Sequence, residues 1–354
     1  MMESIDNLVR ENIRNLIPYT SAREQFMDYG MTLLDANENS LGTIGLTENP
    51  WLLHRYPDPY QRALKEQLSQ LKGHPLNGIV LGNGSDEIID LLIRTFCEPG
   101  IDEVLVTDPS YGMYQVSAHI NDVGVKKVSL DSNFDLDLPS VLEVINPATK
   151  IIFLCSPNNP TANLLSESRI AQLADDFSGI LVIDEAYIDF ASQESLIKWC
   201  RQRPRLVVMQ TFSKAWGLAG IRLGACYTSP HIAKYLNKVK PPYNVNQLTQ
   251  QQAIKALDHG GQLPTTVEQI LQQRAHLSRD LQEIDLVQKV YPSDTNFLLV
   301  RITKAPEVFA YLIEQNVIVR NRSQVHLCED CLRITVGTVE ENQLLIRALK
   351  SYKV

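Results

Sequence analysis

The chain of 354 residues has no long apolar run. The longest stretches, such as 151–155 and 180–183, fall far short of the roughly 20 residues that cross a bilayer, and they read as buried strands. It has no surplus of positive charge. Lys and Arg number 33 against 41 Asp and Glu, a net charge of −8, which argues against nucleic-acid and anionic-membrane partners because both require a basic field. The segment 1–14 carries Glu3, Asp6 and Glu11 and lacks a basic stretch followed by an apolar run, so no signal peptide is expected. Cysteine is sparse. The six cysteines, at 97, 155, 200, 226, 328 and 331, are dispersed, as expected of reduced core thiols in the cytoplasm. Cys328 and Cys331, with His326 nearby, lack a second ligand pair, so no metal is expected. There is no internal repeat and no low-complexity tract.

What is present is alternation. With 44% hydrophobic residues the chain can bury a large core, enough for one large domain and a smaller one. Strand-like segments at 79–81, 103–107, 126–130, 150–155, 179–184, 206–211 and 223–228 alternate with helical patterns. This predicts an α/β domain with a mostly parallel seven-stranded sheet flanked by helices. Lys240-Pro241-Pro242-Tyr243-Asn244 is the most breaker-rich stretch and marks the expected boundary. Beyond it, helical patterns at 247–258 and 265–283 lead to a small α+β unit: strand 297–302, helix 305–315, strands 317–320 and 332–336, and a last helix opened by a Thr338/Glu341 capping box. The expected division is an arm at 1–35 associated with the small domain, a large cofactor-binding domain at 36–240, and interdomain helices plus the small domain at 241–354.

The polar residues gather after the strands, where open α/β sheets bind ligands. Gly82-Asn83-Gly84-Ser85-Asp86-Glu87 follows the first strand and opens a helix, which makes an anion cradle suited to a phosphate. It lacks the third glycine of the dinucleotide fingerprint. The other strand ends deliver Asp108 to Tyr114, Ser156 to Thr161, Asp184-Glu185-Ala186-Tyr187 and Thr211 to Gly217. Asp184, ending an apolar strand, needs a donor or cationic partner, which a protonated pyridine nitrogen would supply; the alternative is a helix cap. Lys214, beside Ser213 and with Arg222 eight residues on, is placed to have a depressed pKa and to act as a Schiff-base amine or proton carrier; the alternative is a solvated surface lysine.

The stretch SKAWGLAGIR, from Ser213 to Arg222, together with PNNPT, DEAY and DPSYGMY, resembles the class I/II, fold-type-I, pyridoxal-5′-phosphate (PLP) dependent aminotransferases. The resemblance implies that Lys214 carries the cofactor as a Schiff base. It further implies Ser213 and Arg222 on the cofactor phosphate with Gly84, Ser85 and Asp86, Tyr111 stacked on the ring, Asn158 and Tyr187 on its phenolic oxygen, and Asp184 on its pyridine nitrogen. One departure is Ala162, where many members have glycine.

RNLIPYTSAR, LDANENSLG, RYPDPYQ, GNGSDE, DEAYIDF and CLRITVGT are similar to the branch of that family that transaminates L-histidinol phosphate with 2-oxoglutarate in histidine biosynthesis. By that similarity the protein is a homodimer in which Tyr56 reaches the neighbouring subunit's cofactor phosphate, while Tyr19, Asn37, Arg320 and Arg333 recognise substrate. Arg322 shares a strand face with Arg320 and is its understudy. The competing expectations are an aminotransferase for aromatic or other amino acids and a PLP decarboxylase of a phosphorylated amino acid.

Overall fold

The computed structural model describes residues 4–19, 21, 32–46 and 52–353. Seven strands form the larger sheet: β1 (Ile79–Asn83), β2 (Glu103–Asp108), β3 (Gly124–Ser129), β4 (Thr149–Cys155), β5 (Ile180–Asp184), β6 (Leu206–Thr211) and β7 (Leu223–Thr228). Their order is β1-β7-β6-β5-β4-β2-β3. β7 runs antiparallel to both neighbours and the other pairings are parallel. A strand covered on both faces has no polar side, which is why β5 and β6 read as continuous apolar runs and are buried throughout. The two-residue period still sorts their side chains. Ile152, Leu154, Leu181 and Ile183 join one core layer, with Leu64 and Leu68 of helix Arg62–Lys72. Ile151, Phe153, Ile180 and Val182 join the opposite layer, with Ile88 and Leu92 of helix Gly84–Phe96.

The smaller sheet contains β8 (Val287–Val290), β9 (Phe297–Ile302), β10 (Arg320–Asn321) and β11 (Cys331–Thr335), all antiparallel in the order β10-β11-β9-β8. Helices Leu263–Gln282, Ala305–Glu314 and Val339–Ser351 cover it around Val300, Leu332 and Leu345. The last of these has the expected capping box between Thr338 and Glu341. The strand expected at 317–320 shrinks to Arg320–Asn321, because the Val317 N–H closes the preceding helix on Leu312 O at 2.8 Å and is unavailable to a ladder. β8 carries Gln288 and Lys289 and is half-exposed, so no apolar run announces it.

Two observations bear on the expected organisation. Among the described residues of the arm, Ile5, Leu8 and Val9 pack with helix Gly84–Phe96 and helix Pro230–Val239 of the large sheet. Asp6 fixes them there, accepting from Tyr235 Oη at 2.6 Å and meeting His231 Nε2 at 2.7 Å. Thr20 and residues 22–31 of the expected arm lie outside the described residues. The proline turn after Lys240 is not a break in packing. Lys240 Nζ donates to Pro59 O (3.1 Å) and Asn244 Oδ1 (2.9 Å), and Asn244 Nδ2 donates to Leu81 O (3.0 Å) and Glu87 Oε2 (2.8 Å). Helix Gln247–Asp258 then sets Ala253 into the large sheet's core.

Candidate active site

The parallel strands turn their carboxyl ends to one rim. At the end of β1, Gly84 has φ +75°, a conformation glycine adopts without steric penalty. A Cβ on Gly224 would meet Gly84 backbone carbon at 2.5 Å, so that position requires glycine for close approach, while Gly84 requires it for its left-handed backbone. The Gly84 N–H donates to Arg222 O at 2.9 Å, which locks the turn before β7 against the start of helix Gly84–Phe96. Asp86 in the first turn accepts from Tyr111 Oη at 3.0 Å and lies 3.5 Å from Arg222 Nη2. Ser213 is held by Thr211, whose hydroxyl donates to Ser213 Oγ and accepts from Ser213 N–H, both at 3.1 Å. Gly84, Asp86, Tyr111 and Arg222 are thus brought together, with Ser85 beside them at a helix N-terminus that attracts anions.

Asp184 closes β5, 3% exposed, and no cation pairs with it among the described residues. Tyr114 Oη donates to its Oδ2 at 2.7 Å and the Ala186 N–H to its Oδ1 at 3.1 Å. Burial pushes the carboxyl up to about 6 against the opposing pull of the Tyr114 hydrogen bond. Tyr114 is itself fully buried and stacked on Phe153 at 4.9 Å. Sequence reading passed over it; its position three residues after Tyr111 was the available clue.

Lys214 follows β6, with Nζ 5.5 Å from the centroid of the Tyr187 ring. Its pKa is held below the ordinary lysine range, first by burial and then by the Arg333 charge, while Asp184 pulls the other way. Tyr187 is buried, and Phe297 of the small sheet meets its ring edge-on at 5.1 Å. Ala162, Tyr187, Ala215, Val267 and Phe297 form one apolar cluster that joins both sheets.

The two asparagines of the PNNPT loop have different surroundings. Both N–H groups of Asn158 are spent on the loops, one on Pro109 O at 2.9 Å and one on Thr161 Oγ1 at 2.7 Å, and its Oδ1 accepts from Ser110. Asn159 is the one that faces the site: its Nδ2 lies 3.4 Å from Tyr187 Oη and its Oδ1 accepts from Arg333 Nη1 at 2.6 Å. Ala162, the departure from glycine, is fully buried at φ +71°, so the loop keeps a left-handed turn despite its methyl group.

On the small sheet, Arg320 and Arg333 face each other across β10 and β11. Arg320 is exposed; Arg333 is half-buried, its guanidinium 5.3 Å over the Phe297 ring, and its pKa is lowered by burial and by Arg322 and Arg320. Tyr19, Asn37 and Tyr56 do not converge on Lys214: among the described residues no hydrogen bond or ring contact joins them to it. Tyr56 stacks on Tyr243 at 4.5 Å, and its N–H donates to Glu38 Oε1 at 2.7 Å. With Asn37 it lines a cavity of about 500 Å³. Tyr19, 76% exposed, lines a separate cavity beside helix Pro230–Val239.

These residues fit a phosphorylated ring with a protonatable nitrogen. Asp184 is a buried carboxylate without a cation, Gly84 and Arg222 offer an anion cradle, and Lys214 is an amine biased toward its neutral form. The model for "Aminotransferase class I and II" matches residues 45–349, and the chain belongs to that family. Within it, histidinol-phosphate aminotransferases are among the chain's relatives. That of Parabacteroides distasonis is 50% identical over 354 residues, covering 99% of this chain and 100% of the relative. The crystal structure of the Clostridium acetobutylicum enzyme superposes with a TM-score of 0.77 at 25% identity, covering 84% of this chain and 90% of that one. The Sinorhizobium meliloti histidinol-phosphate aminotransferase, solved in complex with pyridoxal-5′-phosphate, shares the fold with a TM-score of 0.76 at 24% identity, covering 89% of each chain.

Proposed function

We propose that this chain transaminates L-histidinol phosphate with 2-oxoglutarate, giving 3-(imidazol-4-yl)-2-oxopropyl phosphate and L-glutamate, with PLP carried on Lys214. The observation that carries the reading is a lysine of lowered pKa set between a buried carboxylate and a group of arginines at one strand-end rim. When bound, PLP supplies an electron sink for the charge that develops at the substrate Cα.

The chain's own groups do the rest. Asp184 would keep a proton on the pyridine nitrogen, with Tyr114 holding Asp184 in place. Asn159 and Tyr187 would hold the phenolic oxygen, Tyr111 would lie against the ring, and Gly84, Ser85, Asp86, Ser213 and Arg222 would take the phosphate. Lys214 Nζ, more often neutral than an ordinary lysine at neutral pH, takes and returns the proton of the substrate Cα. Arg333 presents a planar fork to the substrate anion and Arg320 adds charge at the mouth.

The same reading includes a homodimer with shared sites, in which Tyr56 reaches the partner's cofactor phosphate and Tyr19 and Asn37 complete the substrate pocket. Its support is that Ile17, Tyr19 and Tyr56 are large side chains left exposed. We also propose a large unit at 36–240 and a small unit with its interdomain helices at 241–354, supported by the core that Leu277, Val300, Leu332 and Leu345 form apart from the layer beneath helix Gly84–Phe96. Six buried, unpaired cysteines support residence in the cytoplasm.

A coupled assay tests the substrate. Histidinol phosphate, phenylalanine, aspartate and threonine phosphate are compared with 2-oxoglutarate as acceptor, and released CO2 is measured alongside. Preference for histidinol phosphate without CO2 release is expected; preference for another donor, or CO2 from threonine phosphate, overturns the assignment.

A further inference from the structure

The cavity beside helix Pro230–Val239 has a lining at odds with the charge of the chain. The net charge is −8, yet Arg62, Lys65, Lys234, Lys238 and Lys240 line this one space, against the single carboxylate of Glu66 among the described residues. Its volume is about 950 Å³, and Leu16, Ile17, Ile79 and Pro241 give it apolar walls. Ile79 begins β1 and Pro230 follows the end of β7, which runs antiparallel to it, so these walls lie at the end of the sheet away from the strand-end rim. Lys214, Asp184, Tyr187 and Arg333 do not line it; Tyr19 does.

Four of the five cations are accounted for. Lys240 Nζ has three acceptors, Pro59 O, Pro241 O and Asn244 Oδ1, at 3.1, 3.4 and 2.9 Å. Arg62 meets Asp58 at 3.4 Å, Lys238 Nζ donates to Arg14 O at 2.8 Å, and Lys234 is exposed to water. Lys65 is the exception. It is 3% exposed, and its Nζ has no hydrogen bond or ion pair among the described residues.

Withdrawing an ammonium from water without an acceptor is costly. Burial first, and then the Lys240 charge, bring the Lys65 pKa down to about 7, with Asp58 pulling the other way. Leu64 and Leu68 of the same helix enter the core, and an apolar residue at 65 would cover that helix face without the cost. An ammonium kept at the wall of a cavity lacks only an anion.

We propose that this cavity is a second binding site of the enzyme, for a monocarboxylate with an apolar body, its carboxylate on Lys65 and its body along Leu16, Ile17 and Ile79. One unpaired ammonium calls for one negative charge, and Lys240 adds to the field without leaving its own acceptors. The apolar walls favour an organic body over a small inorganic ion, because covering them removes apolar surface from water. The site does not depend on which amino donor the enzyme uses.

Isothermal titration calorimetry of the full-length, cofactor-loaded protein tests it, with octanoate as the probe and octanamide as its uncharged counterpart. Octanoate is expected to bind saturably and about tenfold or more tightly than octanamide, the size of one charge-assisted hydrogen bond. Lys65→Met, which keeps an apolar stem, should abolish that preference while octanamide binding stays within about threefold and transamination is unchanged. If the methionine variant does not fold, Lys65→Gln supplies the same comparison. Saturating histidinol phosphate should leave octanoate binding as it was. Three results overturn the proposal: displacement of octanoate by that substrate, which places it in the active site; a full preference for octanoate in the Lys65 variant; or no saturable binding at millimolar octanoate.

Discussion

The rim of the large sheet and the arginine-bearing strands of the small sheet face each other across Tyr187 and Phe297, and they are built on opposite principles. On the rim most polar groups already have partners: Asp184 with Tyr114, Asp86 with Tyr111 and Arg222, Ser213 with Thr211. On β10, β11 and the turn between them, positive charges repel one another, and of the three arginines only Arg333 has a side-chain hydrogen bond among the described residues, to Asn159. A rim already satisfied is preorganised for a resident group. A charge cluster left unbalanced is suited to a ligand that comes and goes.

The largest way to break this comparison is through the rim. Lys214→Ala is expected to lower transamination by about 10⁴-fold or more, because it removes both the attachment point and the proton carrier. Mass spectrometry after borohydride reduction should find no cofactor fixed to the variant chain. Full turnover by that variant would sink the mechanism.

Asp184 sharpens the contrast through pH. Its folded pKa of about 6 lies above the roughly 3.9 of an unfolded aspartate. The stability associated with its protonated form is therefore full below pH ~4 and lost as pH rises through about 6. Cofactor-free Asp184→Asn should then be more stable than cofactor-free wild type at pH 7.5, by up to about 3 kcal/mol, with the advantage gone below pH ~4. Urea melts across pH would show it. The same variant, loaded with cofactor, should lose roughly 100-fold in turnover. A stability difference that does not change with pH would refute the buried-carboxylate argument.

The smallest effects separate two neighbours. Asn158→Ala leaves Pro109 O without a donor in a buried loop and should cost about 1–3 kcal/mol in urea melts. Asn159→Ala should leave stability within about 1 kcal/mol. Its effect should appear as weaker cofactor retention on dialysis and a raised KM for the amino donor. The reverse pattern would return the functional role to Asn158.

How much of this was legible in the sequence depends on the range of the force that decides it. Strand identity, the polar residues at strand ends, the glycine turn at Gly84 and the capping box at Thr338 follow from local pattern, because side-chain alternation and backbone φ are properties of a few consecutive residues. The proposed cofactor lysine and aspartate were legible for a related reason: Asp184 ends one apolar strand and Lys214 lies just past another, and the sheet rule says where such ends point. The tertiary structure alone decided the rest. Asn158 and Asn159 are adjacent in sequence, and which one turns inward is set by a carbonyl 49 residues away. Arg320 and Arg322 are two residues apart, and only the fold tells them apart, leaving Arg320 exposed and Arg322 half-buried. The arm's apolar residues needed cover, which the sequence could state but not locate; helix Pro230–Val239 provided it. Hydrophobic pattern fixes that a residue is covered, and only the packed fold fixes by what.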